Sequence, residues 1–406
     1  MREAPQRLRR IHQELGPHLD LFHQEVCAPG GVYWHAPGLT MRLALIAYIQ
    51  RCWRALGVGE VFSPILAASP DSIPAPLPSA AHSQRYLVPT PQRTLALVQQ
   101  PCAAHRQLLE QRIRSRQSFP HRYAEFASCH RQCRSEALCG LLRSTEYSVD
   151  ALHIFCVPTQ IAAEVESLHE HAVRLLRNLD LLGFRVLRVR GASRGRAHRE
   201  ESPGQAQFRR VVASLPVDEE RAVTTEPEGT ERIDYLAQDR IGSTWRMGTI
   251  RCGCACASGH SHGSSHQCSD AQDVATLHGS MIGSIERCIA LVIERHGVML
   301  PPWLAPVQVI VGGADGATNS HVRGVVTLLE AAGIRTCVES ARPPAPDRLL
   351  EPRCHGAAQF TVMVEAHVVG RPRYVTIRCQ GEGTAERLPL ELALSCLTRE
   401  CAPPAA

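Results

Sequence analysis

Apolar positions near the N-terminus recur three and four residues apart. Leu8, Ile11, Leu15, Leu19 and Phe22 carry that spacing, which predicts a helix within residues 1–26. A turn at Ala28-Pro29-Gly30-Gly31 follows, then a short strand Val32-Tyr33-Trp34 and a second turn at Pro37-Gly38. Residues 39–56 form an amphipathic helical pattern, stopped by Gly57-Val58-Gly59, and 60–65 read as a strand carrying Pro64. Residues 67–83 are rich in Pro, Ser and Ala and read as a loop, and 86–99 as a strand running into a helix start. At the centre, 123–131 is a strand, 132–137 a polar turn and 138–147 a return strand, with a short link to His153.

Residues 159–182 predict a long amphipathic helix and 184–190 a strand. The charged, Gly- and Ser-rich stretch 191–231 holds one helical patch at 205–215, and 233–241 and 243–252 read as strands. A strand end and a helix occupy 276–296, and the proline-rich run at 301–306 closes a first domain, 1–300. Beyond it, strands at 307–311, 335–339, 360–364 and 374–378 alternate with helices at 321–332 and 388–399. That alternation predicts a small, mostly parallel α/β domain over 301–406.

The chain has 406 residues, 44% hydrophobic and 20% charged, the proportions of a globular protein with a substantial core. A net charge of +5, from 44 basic and 39 acidic residues, is compatible with an RNA partner without demanding one. The charged start MREAPQRLRR has no apolar run, so no signal peptide is expected, and no segment approaches the ~18 apolar residues of a membrane span. A cytoplasmic location follows, and with it 17 reduced cysteines that serve as metal ligands or small buried hydrophobes.

Two stretches carry candidate chemistry. Arg131 closes the first central strand, while Arg143 and Tyr147 lie on the predicted return strand. A nucleotide fits such a hairpin, with Arg131 on an α-phosphate, Arg143 on the distal phosphates and Tyr147 against the base. So does the plainer reading of a hairpin with surface arginines. The run CGCACASGHSHGSSHQC at 252–268 offers Cys252, Cys254, Cys256, His260, His262, His266 and Cys268. Its spacings match no closed structural zinc pattern, so a loop with adventitious metal affinity is expected.

AEFASCHR at 124–131, followed by DALHIF, resembles motif 2 of the class II aminoacyl-tRNA synthetases, specifically the threonyl enzyme. LDLFH, APGGVYWHAPG, the following helix and the strand with Pro64 resemble the start of that catalytic domain. The resemblance places motif 1 at about 39–66, motif 2 at about 122–155 and motif 3 at about 276–296. PPWLAPVQVIV with its following helix resembles the anticodon-binding domain of the same subclass. The resemblance implies an α+β fold: an antiparallel class II sheet flanked by helices, plus a small α/β anticodon-binding-like domain. It further implies a homodimer through motif 1, no membrane, and none of the N-terminal editing region of bacterial threonyl enzymes. Cys102, His153 and His278 fall on the family's zinc ligands. Such a trio leaves one tetrahedral position open, and the resemblance implies that it takes the amino and hydroxyl groups of threonine and so rejects valine. ATP with Mg is implied as co-substrate. Arg131 would take the α-phosphate and act in catalysis with Arg287; Arg143 and Arg287 would hold the distal phosphates and Tyr147 the adenine.

The departures fall around the substrate. In Gln99-Gln100-Pro101-Cys102-Ala103-Ala104-His105 only the Cys and His of the family's run remain. Cys133 replaces a Glu that holds the adenine, Val149 and Ala151 replace a Gln and an Asp beside the amino acid, and Gly229 and Arg251 replace a Tyr and a Gln. The C-terminal region, with Ile377-Arg378-Cys379-Gln380-Gly381 where the family carries a basic run, is poor in the cations that dominate RNA affinity. Three readings stand: a shortened threonine–tRNA ligase, a paralogue activating a small amino acid for a carrier protein or small molecule, and a non-catalytic zinc- and ATP-binding protein.

Overall fold

A computed structural model describes residues 10–68, 85–112, 119–193, 202–227, 230–253, 274–314, 317–339, 358–365, 374–380 and 385–405. The predicted first helix is short. α1 (Ile11–His18) carries Pro17 in its last turn, and Asp20 at a φ of 56° bends the chain away. Leu19, Leu21 and Phe22 are therefore buried from a turn and from β1 (Phe22–His23), which pairs antiparallel with β2 (Tyr33–Trp34). α2 (Ala36–Ala55) begins before its predicted start and absorbs Pro37 and Gly38 into its first turn. Proline is tolerated there because the first amides have no helical acceptor. A Cβ on Gly38 would lie 1.9 Å from the Leu21 carbonyl oxygen, so only glycine fits.

The strand predicted at 60–65 is two short pieces, β3 (Gly59–Glu60) and β4 (Leu66–Ala68), with Pro64 between them. The helix start expected before residue 99 is instead a hairpin, β5 (Leu87–Pro89) and β6 (Thr94–Leu97), which forms a three-stranded sheet with β4. α3 (Cys102–Arg112) follows, then β7 (His121–His130), β8 (Glu146–Cys156), α4 (Ile161–Asn178) and β9 (Arg185–Ser193). α5 (Pro203–Ser214) starts at a Ser202 cap whose hydroxyl accepts from the Gln205 amide. β10 (Glu219–Pro227) was not expected; β11 (Glu231–Gln238), β12 (Thr244–Cys252), β13 (Ala275–Ser280) and α6 (Ile285–His296) were.

The chain divides into two compact units. One holds residues 25–31 and 49–291; the other holds 10–24, 32–48 and 292–405. The first is built on an eight-stranded sheet ordered β10-β9-β11-β12-β13-β8-β7-β3. The six inner strands pair antiparallel, and the edges β10 and β3 pair parallel. α4 buries Ile161, Val165, Leu168, Ala172, Leu175 and Leu176, a stripe at helical spacing. Gly279 lets β13 approach α4: a Cβ there would lie 2.6 Å from Leu168 Cδ2. Arg122 on β7 grips Glu164 on α4 through two bonds, Nε to Oε2 at 2.7 Å and Nη2 to Oε1 at 2.5 Å.

In the second unit, β14 (Val309–Gly313), α7 (Asn319–Ala331), β15 (Thr336–Val338), β16 (Phe360–Val364), β17 (Tyr374–Cys379), β18 (Ala385–Pro389) and α8 (Leu390–Cys401) surround one core. Val309, Val311, Val325, Leu329, Val362, Val364, Val375 and Leu397 form it. The sheet order is β15-β14-β16-β17-β18, with two parallel and two antiparallel pairings. The expectation of a mostly parallel sheet is corrected by β18, which pairs back on β17 and delays the last helix to Leu390. Among the described residues no helix is long and apolar enough to cross a membrane.

Candidate functional site

The hairpin β7–β8 sets the site's register. Tyr123 faces His153, Glu125 faces Ala151, Ala127 faces Val149 and Cys129 faces Tyr147. Side chains alternate along a strand, so Tyr147, Val149, Ala151 and His153 share one face of β8. The next strands extend the His153 row, since His153 pairs with His278 on β13 and His278 with Arg251 on β12. The predicted return strand is shifted. β8 starts at Glu146, and 131–145 is a loop with bridges at Cys139 and Gly140 at a φ of 52°. Leu141 and Leu142 look strand-like in sequence because this loop buries them to 1% exposure. Arg143 therefore sits exposed on the loop, off the strand, and His153 lies within the strand instead of beyond a link.

Cys102, His153 and His278 come together although they are far apart in sequence. Their candidate ligand atoms all lie within 4.8 Å of one another, and all three residues are buried. His278 Nδ1 is 2.9 Å from His153 Nε2 and 3.3 Å from Cys102 Sγ. A tetrahedral zinc with bonds of about 2.0–2.3 Å separates its ligand atoms by roughly 3.3–3.6 Å, so this donor set fits a zinc ion after a small opening. Burial pushes His278 down to about 3, helped by the nearby Arg251 charge, which keeps the ring neutral and able to ligate.

Sequence reasoning missed what stands behind the trio. His105, one turn along α3 from Cys102, places its Nδ1 2.8 Å from His153 Nδ1. His105 Nε2 lies 3.4 Å from Glu125 Oε1. Glu125 in turn accepts from the Ser63 amide at 2.7 Å and the Ser63 hydroxyl at 2.6 Å. The i, i+3 spacing of Cys102 and His105 was the available signal, because it puts both on one helix face. The chain Ser63–Glu125–His105–His153 is the kind of support that fixes the tautomer of a metal-ligating histidine.

The cationic residues gather at the other end of the same face. The Arg131 guanidinium carbon sits 5.2 Å from the Tyr147 ring centroid. Arg287 donates from Nε to the Leu142 carbonyl at 3.0 Å and from Nη1 to the Arg246 carbonyl at 2.8 Å, and stacks 5.6 Å from Trp245. Burial, with Arg131, Arg246 and Arg143 nearby, pushes Arg287 down to about 10. Such a desolvated cluster of like charges favours an anionic ligand. Burial also raises the Tyr147 phenol.

The turn that presents Arg287 is held by Asp150, which lies between Val149 and Ala151 and points to the opposite face. Asp150 accepts from the amides of Met281, Ile282 and Gly283, at 2.6, 3.0 and 2.8 Å, and from the Ser280 hydroxyl. Full burial pushes its carboxyl up to about 7 against those four donors. Gly283 has a φ of 69°, and a Cβ there would lie 2.1 Å from the Met247 carbonyl oxygen. Glu286 accepts from the Ser148 amide and the Ser284 hydroxyl, both at 2.9 Å.

Between the two clusters the floor is apolar: Ala127, Cys129 and Ala151, with Tyr147 and Val149 packed on them. Cys133 is half-buried, its sulfur 4.0 Å from the Ser144 carbonyl oxygen. Gly229 and the Cys/His run from residue 254 to 268 lie outside the described residues.

Residues 86–296 match the family described as the tRNA synthetase class II core domain (G, H, P, S and T). The chain belongs to the class II tRNA synthetases. It is 30% identical to a threonine–tRNA ligase of Granulibacter bethesdensis over 98% of its own length and 62% of that relative's. A solved structure described as the RNA-binding domain of threonyl-tRNA synthetase from Cryptosporidium parvum superposes with a TM-score of 0.79 at 21% identity, covering 98% of this chain and 99% of that one. A Cryptosporidium parvum prolyl-tRNA synthetase with L-proline and AMP gives a TM-score of 0.64 at 12% identity, covering 96% and 74%. The chain thus has the class II fold, and it spans about 62% of the length of the Granulibacter relative.

Proposed function

We propose that the chain is a threonyl-tRNA-synthetase-like ligase that activates a small amino acid with ATP and Mg to an aminoacyl-adenylate and transfers it to tRNA. The observation that carries the reading is one sheet face with the Cys102, His153 and His278 trio at one end and Arg131, Tyr147 and Arg287 at the other. In it, Arg131 orients the α-phosphate next to the attacking carboxylate, Arg143 and Arg287 hold the distal phosphates, and Tyr147 takes the adenine once Arg131 turns from its ring to the phosphate. Positioning and charge stabilisation carry such a reaction. Cys102, His153 and His278 would hold a zinc ion, which when bound supplies an electrophilic anchor for the amino acid. The catalytic domain would span 1–300 and an anticodon-binding-like domain 301–406. A cytoplasmic homodimer through residues 39–66 fits the exposure there of Leu39, Leu43, Phe62, Ile65 and Leu66, with Phe62 85% exposed.

A second reading, transfer to a carrier protein or small molecule, is favoured by Val149, Ala151 and Arg251 in place of the family's polar residues. Incubation with ATP, labelled amino acids and total tRNA separates the two. Label on tRNA supports the ligase reading; adenylate formed without tRNA charging overturns it for the second.

A further inference from the structure

One row of cross-strand neighbours runs Tyr123, His153, His278, Arg251, Arg232. Cross-strand neighbours share a face, so Arg251 stands beside the metal trio. Arg232 is neutralised by Asp234, Nε to Oδ2 at 2.9 Å. Arg251 is not: among the described residues no carboxylate pairs with it, and its buried Nε has no hydrogen-bond partner. Its bond from Nη2 to Gln100 Oε1 is 3.4 Å long, and the same oxygen lies 3.7 Å from Cys102 Sγ. The guanidinium thus leans toward the thiol side of the trio. The floor alongside, Val149 and Ala151, offers no side-chain donor or acceptor.

Arginine carries five donors in a planar fork and no acceptor. A hydroxyl meets one of those donors and leaves the charge uncompensated, whereas a carboxylate meets two and neutralises it. We propose that Arg251 makes this a site for a small amino acid whose side chain ends in a carboxylate, bound beside Cys102, His153 and His278. The inference rests on the reading of this face as an amino-acid site and names the substrate class within it.

Calorimetric titration of the full zinc-containing chain with L-aspartate, L-asparagine and L-threonine tests it. Aspartate and asparagine share a shape and differ in charge. Aspartate is expected to bind at least about tenfold tighter than asparagine. Arg251→Gln removes the preference, and Arg251→Lys, which keeps the charge, retains part of it. Equal binding of the two, no aspartate binding at millimolar concentration, or an unchanged preference in Arg251→Gln overturns the inference. Pyrophosphate exchange tells the two readings apart. Exchange with threonine and none with aspartate overturns Arg251's role and leaves the ligase reading standing. Charge-selective aspartate binding without exchange by any amino acid supports Arg251's role and removes the ligase reading.

Discussion

His105 Nδ1 lies 2.8 Å from His153 Nδ1, and that contact leaves His153 Nε2 facing His278. With the His153 proton on Nδ1, His105 is the acceptor and carries its own proton on Nε2, toward Glu125. Loss of such a supporting group typically costs about 10–100-fold in metal affinity. His105→Ala is expected to weaken zinc binding by about that factor, read by competition with a chromophoric chelator. Unchanged affinity would show that His105 is only a packing residue.

Glu125 links this network to stability. Burial alone would raise its carboxyl, but the His105 ring 3.4 Å away and the two bonds from Ser63 outweigh it and hold the group below the ordinary value of 4.5. The folded state therefore binds the proton less readily than the unfolded chain. The stabilisation is present above about pH 4.5 and drains away as pH falls through the lower folded value. Urea midpoints across pH 3–6 should fall on the acid side, and Glu125→Gln should flatten that fall. A wild-type slope in the variant would contradict it.

Asp150 has four donors and no exposure. Asp150→Ala strands the Met281 and Ile282 amides and the Ser280 hydroxyl proton, and leaves the Gly283 amide only its bond to Ser280 Oγ, at a cost of about 3 kcal/mol or more by denaturant titration. Asp150→Asn keeps one acceptor oxygen and should lose less. A loss below about 0.5 kcal/mol for the alanine variant would rule out the anchoring role.

Gly283 tests the same turn from the backbone. Gly283→Ala meets both the positive φ and the Met247 carbonyl oxygen, so it should lower stability by about 2 kcal/mol or more. Because Arg287 lies four residues on, ATP affinity should fall as well, measured by fluorescence of a labelled nucleotide. Wild-type stability would mean that the turn relaxes freely.

Strands with plain alternation and hydrophobic runs were legible in the sequence: β7, β11, β12 and the helices α4 and α6 fall close to their expected places. The residues that pattern misread are those buried without regular structure. Leu141 and Leu142 mimic a strand from within a loop, and Thr94–Leu97 prefers to pair in a hairpin over starting a helix. β10 was hidden because it opens on polar edge residues, and the ion pairs of Glu219 with Arg185 and of Glu220 with Arg188 and Arg190 appear only once β9 lies alongside. Of the site, the Cys102, His153 and His278 trio and Arg287 were reached through family resemblance, since no local spacing joins them, whereas Arg131, Arg143 and Tyr147 already stood out on the central hairpin. His105, Glu125 and Asp150 went unread because their roles depend on what lies across the sheet.

ATP–pyrophosphate exchange by the purified, zinc-containing chain, surveyed across the amino acids with Mg and ATP, tests the central claim most directly. Exchange stimulated by one small amino acid is predicted, reduced at least about 100-fold in Arg131→Ala, which removes the α-phosphate contact. Absence of exchange with every amino acid, or full exchange in Arg131→Ala, would contradict it.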